Sequence, residues 1–175
     1  MISVIGAGAM GEALMAGWIA AGTSPDEIVA VDQDTDRLAR LRERRGVRSV
    51  EVSGVSVAEV VVVAVKPHHV ATALTDIAPH LGPDAVVVSV AAGVTLARLT
   101  EVLPEGQPVI RVMPNTPALV GRGVAGLAAG PTVTPEQIAR VVAMMEAVGI
   151  CVELPESQFD ALTAISGSGP AYLFL

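Results

Sequence analysis

The sequence predicts an α/β protein with a doubly wound, mostly parallel sheet, and three observations favour this fold. Hydrophobic residues make up 51% of the chain but aromatic residues only 2%, so Val, Ala, Leu and Ile must form the core. Such a composition is typical of parallel strands that are buried on both faces. Short apolar runs alternate with amphipathic stretches, which gives the order strand, helix, strand. A glycine-rich turn follows the first apolar run.

The first 113 residues alternate regularly between predicted strands and predicted helices. Apolar runs predict strands at residues 2–5, 28–31, 60–65, 85–90 and 109–113. Helical periodicity, ended by Gly or Pro, predicts helices at residues 10–21, 35–45, 68–81 and 95–103. The run "VVVVAV" at 60–65 is apolar throughout, as a central strand buried on both faces requires.

After residue 113 the alternation becomes less regular. The segment "PNTPALVGRG" is a predicted loop, because it contains two prolines and two glycines. A strand at 124–128, a helix at 135–148 capped by Thr134, and a strand at 150–154 follow. Residues 160–175 are predicted to be helical. We therefore expect one domain over residues 1–155 and the start of a second over residues 156–175.

Charge and cysteine content exclude several classes of protein. The formal net charge of −7 argues against a nucleic-acid or anionic-membrane partner, which would require clustered Lys and Arg. Cys151 is the only cysteine and is expected to be a small core residue. The N-terminus lacks the basic region of a signal peptide, and no long uncharged apolar segment predicts a membrane span. We expect a cytoplasmic protein.

The turn after the first strand has the G-x-G-x-x-G spacing of a dinucleotide site. In "VIGAGAMG", Gly6 is expected to form the tight turn, Gly8 to let a pyrophosphate approach, and Gly11 to let helix and strand pack closely. The following helix would present free N–H groups to the phosphates. The alternative is a glycine-rich turn without a ligand. The preceding strand and the later acidic residue Asp32 favour a Rossmann-like nucleotide site.

Asp32, at the end of the second strand, bears on the choice of cofactor. A carboxylate there would accept hydrogen bonds from both adenosine ribose hydroxyls and would repel a 2′-phosphate. Residues 33–36 offer no cation, and Arg37 is the first that follows. The local sequence therefore favours NADH over NADPH. Asp34 or Asp36 is expected to cap the next helix.

Three further segments leave predicted strands at the same edge of the sheet, where ligands of open parallel sheets bind. Lys66 in "AVKPHHV" would lie against the cofactor, or be an exposed lysine before a helix that begins at Pro67. Small residues in "SVAAGV" would admit a flat ring, or only allow close packing. Asn115 would bind a carboxamide, or close a turn between two prolines.

Several kinds of catalytic site are missing from the sequence. The chain has no nucleophile paired with a base, no Cys/His metal spacing and no G-K-[ST] phosphate loop. The histidines are expected to be surface or capping residues, and no metal ligand is predicted. Chemistry without a protein nucleophile is what hydride transfer from a nicotinamide requires.

Five segments of the chain, taken in order, resemble the pyrroline-5-carboxylate reductase family. They are "VIGAGAMGEAL", "AVKP", "SVAAGVTL", "RVMPNTPALVG" and "ALTAISGSGPAYLFL". The resemblance implies NAD(P)H-dependent reduction of 1-pyrroline-5-carboxylate to L-proline, the last step of proline biosynthesis. It also implies that a Rossmann-like domain precedes an all-helical dimerisation domain, of which residues 156–175 form the truncated start. A homodimer or larger ring would form there, with the apolar side of residues 171–175 facing a partner subunit.

The resemblance and the glycine turn together give the candidate cofactor-binding residues. These are Ile5, Gly6, Ala7, Gly8, Ala9, Met10, Gly11, Asp32, Ala64, Val65, Lys66, Pro67, Val90, Ala91, Ala92 and Asn115. Asn115 would lie near the nicotinamide. No catalytic residue is expected within this chain, because the family's substrate-binding segment lies further along. Many members have Asn-Arg, which suits NADP, where this chain has Asp32 and Gln33.

Two alternatives remain open. A related 3-hydroxyacid-type dehydrogenase would need a catalytic lysine in a second domain, whereas Lys66 is the only lysine of this chain. A dinucleotide-binding module would bind the cofactor without turnover. Exposed apolar residues at 173–175 would additionally favour self-association.

Overall fold

The structure is a computed structural model that describes residues 1–167. Eight strands form one sheet in the order β3-β2-β1-β4-β5-β6-β7-β8. The strands are β1 Ile2–Ile5, β2 Ile28–Val31, β3 Arg48–Ser49, β4 Val60–Val63, β5 Val86–Ser89, β6 Val109–Pro114, β7 Gly123–Ala129 and β8 Gly149–Glu153. Neighbouring strands are parallel except β6 and β7. The predicted α/β fold with a mostly parallel, doubly wound sheet is confirmed.

Helices cover both faces of the sheet. They are α1 Ala9–Ala20, α2 Thr35–Arg45, α3 Val70–Ile77, α4 Leu96–Thr100, α5 Pro135–Glu146 and α6 Phe159–Leu162. Side chains of α1, α2 and α5 contribute to the hydrophobic core on one face, and those of α3 and α4 to the core on the other. Within β4, Val60 and Val62 belong to the first core and Val61 and Val63 to the second. Val60–Val63 are therefore buried on both faces, as predicted, whereas Ala64 and Val65, which the predicted strand included, follow β4 and are half-buried.

Several predicted elements are shorter in the structure. The stretch predicted as a helix at 68–81 consists of a 3₁₀ turn at Pro67–His69, then α3, then a 3₁₀ turn at Ala78–His80. The helix predicted at 95–103 is only the five residues of α4. The two-residue strand β3 and the 3₁₀ helix Val52–Val57 have no clear counterpart in the sequence pattern.

The last described segment follows β8 and packs against the sheet. After α6 the chain makes a single π-helical turn at Thr163–Gly167. Phe159 is fully buried, and Leu162 lies so close to Gly126 of β7 that any Cβ there would collide with it. Residues 168–175, on which the predictions of a continuing helix and of a partner-facing apolar side fall, lie outside the described residues. None of the helices described is long and apolar enough to cross a membrane.

Candidate functional site

The glycine turn between β1 and α1 forms the floor of a cleft at the carboxyl edge of the sheet. Gly6 has a φ of +98°, which a residue with a side chain rarely adopts. A Cβ at Gly11 would collide with the carbonyl oxygen of Gly6. Because Gly11 has no side chain, the first turn of α1 can pack directly against the glycine turn. At Gly8 a Cβ would meet no atom of the described residues within 4 Å, because this residue lines the open cleft. Among residues 1–167, no side chain caps α1, so the first N–H groups of this helix are suited to bind an anion.

Asp32 follows β2 and joins the second strand to the glycine turn. Its Oδ2 accepts a hydrogen bond from the N–H of Ala7 at 2.7 Å, and its Oδ1 accepts one from the N–H of Asp34 at 2.9 Å. Burial alone would raise the pKa of Asp32, but these two hydrogen bonds and the guanidinium of Arg37 outweigh it and lower the pKa. The carboxylate is therefore ionised at neutral pH and fixed from two sides.

Arg37 lies in the first turn of α2. Within residues 1–167, it is the cation that forms an ion pair with Asp32. Its Nη1 lies 3.0 Å from Oδ2 and 3.3 Å from Oδ1 of Asp32, and its Nη2 lies 3.3 Å from Oδ2 of Asp34. Asp34 caps α2 by accepting a hydrogen bond from the N–H of Arg37, as predicted for one of the two aspartates. The sequence identifies Arg37 only as the first cation after Asp32 and does not predict the ion pair. The sequence signal that could have predicted this ion pair was the helix cap at Asp34. A cap fixes the first turn of α2, and Arg37 lies in that turn.

Two more loops complete the wall of the cleft. Residues 64–67, which leave β4, and residues 90–92, which leave β5, both line it. Lys66 is exposed at this edge. The cleft has a volume of about 1710 Å³. Since pockets for small ligands commonly measure ~300–1,000 Å³, it can accept a ligand as long as a dinucleotide.

Most of the predicted cofactor-binding residues line this one cleft. They are Ile5, Gly6, Gly8, Ala9, Met10, Asp32, Ala64, Val65, Lys66, Pro67, Val90, Ala91 and Ala92. The other three do not line it, each for a structural reason. Ala7 is buried and donates its N–H to Asp32, and Gly11 packs against Gly6.

Asn115 is the third predicted residue that does not line the cleft. Its Nδ2 donates to Oγ of Ser166 at 2.9 Å, and its Oδ1 accepts from the N–H of Val124 at 2.8 Å. The side-chain amide therefore connects the start of β7 to the last described turn. Its neighbours Thr116 and Leu119 line the cleft instead, and neither was predicted. A contact between Asn115 and a nicotinamide stays a prediction.

The cleft is also lined by residues that the sequence did not single out. Leu38 and Arg42 from α2, the segment 49–52, and His69 and Thr72 near α3 all line it. Within residues 1–167, no group of three or more His, Cys, Asp and Glu side chains is placed to hold a metal ion. The arrangement offers backbone donors, the fixed carboxylate of Asp32 and the cations Arg37, Arg42 and Lys66, a set suited to a phosphate- and ribose-containing ligand.

The sequence that forms this cleft matches a known protein family. The family model described as NADP oxidoreductase, coenzyme F420-dependent, matches residues 1–93, which is more than half of the chain. The chain belongs to this family. The matched region contains the glycine turn, Asp32 and both of the loops that complete the wall.

Similarity to individual proteins extends over nearly the whole chain. Pyrroline-5-carboxylate reductase of Mycobacterium tuberculosis is 44% identical over 181 residues, covering 99% of this chain and 61% of that enzyme. The structure of a pyrroline-5-carboxylate reductase from Coxiella burnetii superposes with a TM-score of 0.92 at 36% identity, covering 99% of this chain and 66% of that one. The resemblance predicted from the motifs is confirmed.

A related structure was determined with a nucleotide. Plasmodium falciparum pyrroline carboxylate reductase with NADP bound superposes with a TM-score of 0.87 at 26% identity, covering 99% of this chain and 64% of that one. This chain thus spans about two thirds of the length of the proteins it matches, and less than two thirds of the mycobacterial enzyme.

Proposed function

We propose that this chain is the dinucleotide-binding part of a pyrroline-5-carboxylate reductase, which reduces 1-pyrroline-5-carboxylate to L-proline with NAD(P)H. One observation carries the proposal. Four of the five sequence segments on which the resemblance depends contribute residues to the cleft at the carboxyl edge of the sheet: the glycine turn, "AVKP", "SVAAGVTL" and "RVMPNTPALVG". A family-specific combination of motifs that converges on one cleft supports a shared ligand.

The residues present fit the cofactor that the family implies. Gly8 leaves open space where a side chain would fill the cleft, and the uncapped start of α1 can accept a pyrophosphate. A bound reduced nicotinamide supplies a hydride to the imine carbon, while the imine nitrogen carries a proton, so that the C=N bond becomes the C–N bond of proline. This chain's part is to bind and orient, because we assign no acid, base or nucleophile to its side chains. The substrate-binding residues are expected in the third of the relatives that this chain does not span.

We propose NADH as the preferred cofactor on the basis of Asp32. Its lowered pKa keeps a negative charge where a 2′-phosphate would lie. The guanidinium of Arg37 offsets part of this charge, so the preference is expected to be modest.

We further propose that residues 156–175 begin a helical dimerisation domain, and that the enzyme works as a homo-oligomer in the cytoplasm. Ile165, in the last described turn, is 79% exposed, which supports the docking of further protein against this region. The substrate would be a small molecule, with no nucleic acid or membrane as a partner.

The test is 1-pyrroline-5-carboxylate-dependent loss of the absorbance of reduced nicotinamide, measured with NADH and NADPH in parallel. Turnover that is lost in Gly8→Ala, a variant expected to retain the fold because a Cβ at this position has space, would support the proposal. Saturable NADH binding without turnover would support the nucleotide-binding part of the proposal alone, and is the result expected if the substrate-binding residues are absent. Absence of both turnover and nucleotide binding would contradict the proposal.

A further inference from the structure

The carboxylate of Asp32 has little capacity left for a ligand. A carboxylate offers about four lone-pair positions. The N–H groups of Ala7 and Asp34 occupy one position on each oxygen, and Nη1 of Arg37 lies within 3.0 and 3.3 Å of the two oxygens. The side chain of Asp32 is only 10% exposed. These three donor groups make four hydrogen bonds and so occupy all four positions, and a ribose diol that is to donate to this carboxylate must therefore displace one of the three groups.

We propose that Arg37 sets how strongly the cleft discriminates between the two nucleotides: by pairing with Asp32, it weakens the preference for NADH that Asp32 alone would impose, because it competes with the adenosine ribose diol and can bind a 2′-phosphate. The inference rests on the proposed dinucleotide function and assigns a specificity-determining residue to that site. Arg37 lines the cleft, and its position in the first turn of α2 brings its guanidinium to the end of β2.

Arg37 is the donor that can move. The N–H groups of Ala7 and Asp34 belong to the main chain of the glycine turn and of the helix cap, so they hold Asp32 in place. The side chain of Arg37 is 41% exposed, and the principal contacts of its guanidinium are with two carboxylates at the surface of the cleft. A diol would need to displace the guanidinium from Asp32 and would lose the favourable energy of that ion pair.

A 2′-phosphate has a different requirement, because it needs a cation and does not need the carboxylate. A guanidinium has five N–H donors, so it can bind a phosphate while it remains paired with Asp32. Arg42 adds another positive charge to the lining of the cleft, whereas Asp34, Glu43 and Glu51 add negative ones. Arg37 thus offsets the repulsion that Asp32 alone would impose on NADPH.

The experiment measures dissociation constants of NADH and NADPH by fluorescence or calorimetry for the parent chain, Arg37→Ala, Arg37→Lys and Arg40→Ala. Arg40 is the matched control, because it is an exposed arginine on the same helix that does not line the cleft. We expect Arg37→Ala to weaken NADPH binding about tenfold or more, as for the loss of a charge-assisted hydrogen bond, and to leave NADH binding equal or tighter. Arg37→Lys should give a smaller shift in the same direction, because a lysine retains the charge without the fork. Arg40→Ala should leave the NADPH-to-NADH ratio unchanged.

The outcomes separate this inference from the function on which it rests. If Arg37→Ala changes both affinities equally or not at all, Arg37 does not set specificity, and the inference alone is overturned. If Arg40→Ala shifts the ratio as much as Arg37→Ala, the effect is one of net charge and the inference is again overturned. If the parent chain binds neither nucleotide, the proposed dinucleotide function fails and this inference fails with it. Thermal unfolding of each variant verifies that the fold is retained.

Discussion

Gly8 and Gly11 lie in the same turn, but an added methyl group has different surroundings at each. At Gly11 it would collide with the carbonyl oxygen of Gly6, a backbone atom that cannot move freely. Gly11→Ala should therefore lower the free energy of unfolding by about 1–3 kcal/mol or more, the usual cost of overpacking. At Gly8 the methyl group would meet no protein atom, and the φ of −69° suits alanine. Gly8→Ala should retain the stability of the parent chain and weaken dinucleotide binding.

Urea denaturation and a nucleotide titration of the two variants provide the check. The expected pattern is a loss of stability in Gly11→Ala and a loss of affinity with unchanged stability in Gly8→Ala. If Gly8→Ala bound NADH and NADPH as tightly as the parent chain, the pyrophosphate would not lie over the glycine turn.

Cys151 should be unreactive at neutral pH. Burial, together with the nearby carboxylates of Glu146 and Glu153, which disfavour another negative charge, raises the pKa of its thiol to about 11. Since the thiolate is the reactive form, about 0.1% of the thiol is reactive at pH 8. Alkylation by iodoacetamide should accelerate about tenfold per pH unit between pH 8 and 10 without reaching a plateau. Chain denatured in urea should react much faster at pH 8, and a plateau of the native rate near pH 9 would contradict the prediction.

The roles of single residues were predictable where a local rule determines them. The glycine spacing predicted the tight turn at Gly6, and the aspartates near 34 predicted the helix cap. The ion pair between Asp32 and Arg37 was not predicted, because it depends on how β2 and the first turn of α2 meet in space. Asn115 illustrates the same limit. Its amide is bonded to Ser166, which is 51 residues away in the sequence, and no local pattern reports such a contact.

At the scale of elements, Glu156 connects the last described segment to the sheet. Its Oε1 accepts hydrogen bonds from Nη1 of Arg111 on β6 at 2.9 Å and from the N–H of Leu96 at the start of α4 at 2.7 Å. Arg111 is buried, and its guanidinium lies 4.5 Å from the centre of the Phe159 ring. Glu156→Ala would leave this buried charge without its carboxylate. We expect a loss of about 2–4 kcal/mol in the free energy of unfolding.

Glu101→Ala is the control for this prediction. Glu101 pairs with Arg98 at 3.6 Å, but both side chains are more than half exposed, and such surface pairs contribute about 0–1 kcal/mol. Chemical denaturation of the two variants should therefore separate them clearly. Equal effects would mean that the buried arginine finds another partner.

Element boundaries were predictable where the sequence contains a start and a stop signal. The range 35–45 of α2 was predicted correctly, because Asp34 caps its start and Gly46, with a φ of +74°, ends it. The strand β3 was missed because it has only two residues and both are exposed, so that it carries no hydrophobic signal. The stretch at 67–80 shows helical hydrophobic periodicity throughout, although it contains two 3₁₀ turns. Over so few residues, the periodicity of a 3₁₀ turn cannot be distinguished from that of an α-helix.

At the scale of the whole molecule, the cleft is built from segments that are far apart in the sequence. The ends of β1, β2, β4 and β5 meet at one edge because these strands are parallel neighbours, and the strand order reverses beside β1. The sequence predicted this edge because alternating strands and helices permit few topologies. It did not predict which face of α2 borders the cleft, since that follows from how the helix packs.

Because these strands also form the centre of the core, a ligand bound across their ends should stabilise the entire fold. Binding to the native state alone adds about 2.7 kcal/mol when the ligand is at 100 times its dissociation constant. For a domain of this size, 1 kcal/mol shifts Tm by roughly 2–4 °C, so NADH at that concentration should raise Tm by about 5–10 °C. Differential scanning fluorimetry with NADH, ADP-ribose and nicotinamide mononucleotide measures the effect.

The choice of ligands locates the contacts. Asp32, Arg37 and the glycine turn border the part of the cleft expected to hold adenosine and pyrophosphate, so ADP-ribose should produce most of the shift seen with NADH. Nicotinamide mononucleotide, which lacks the adenosine, should produce little. Gly8→Ala should remove most of the shift without changing the Tm of the chain alone. A shift with the mononucleotide as large as with NADH would place the main binding energy at the other end of the cleft, near Thr116 and Leu119.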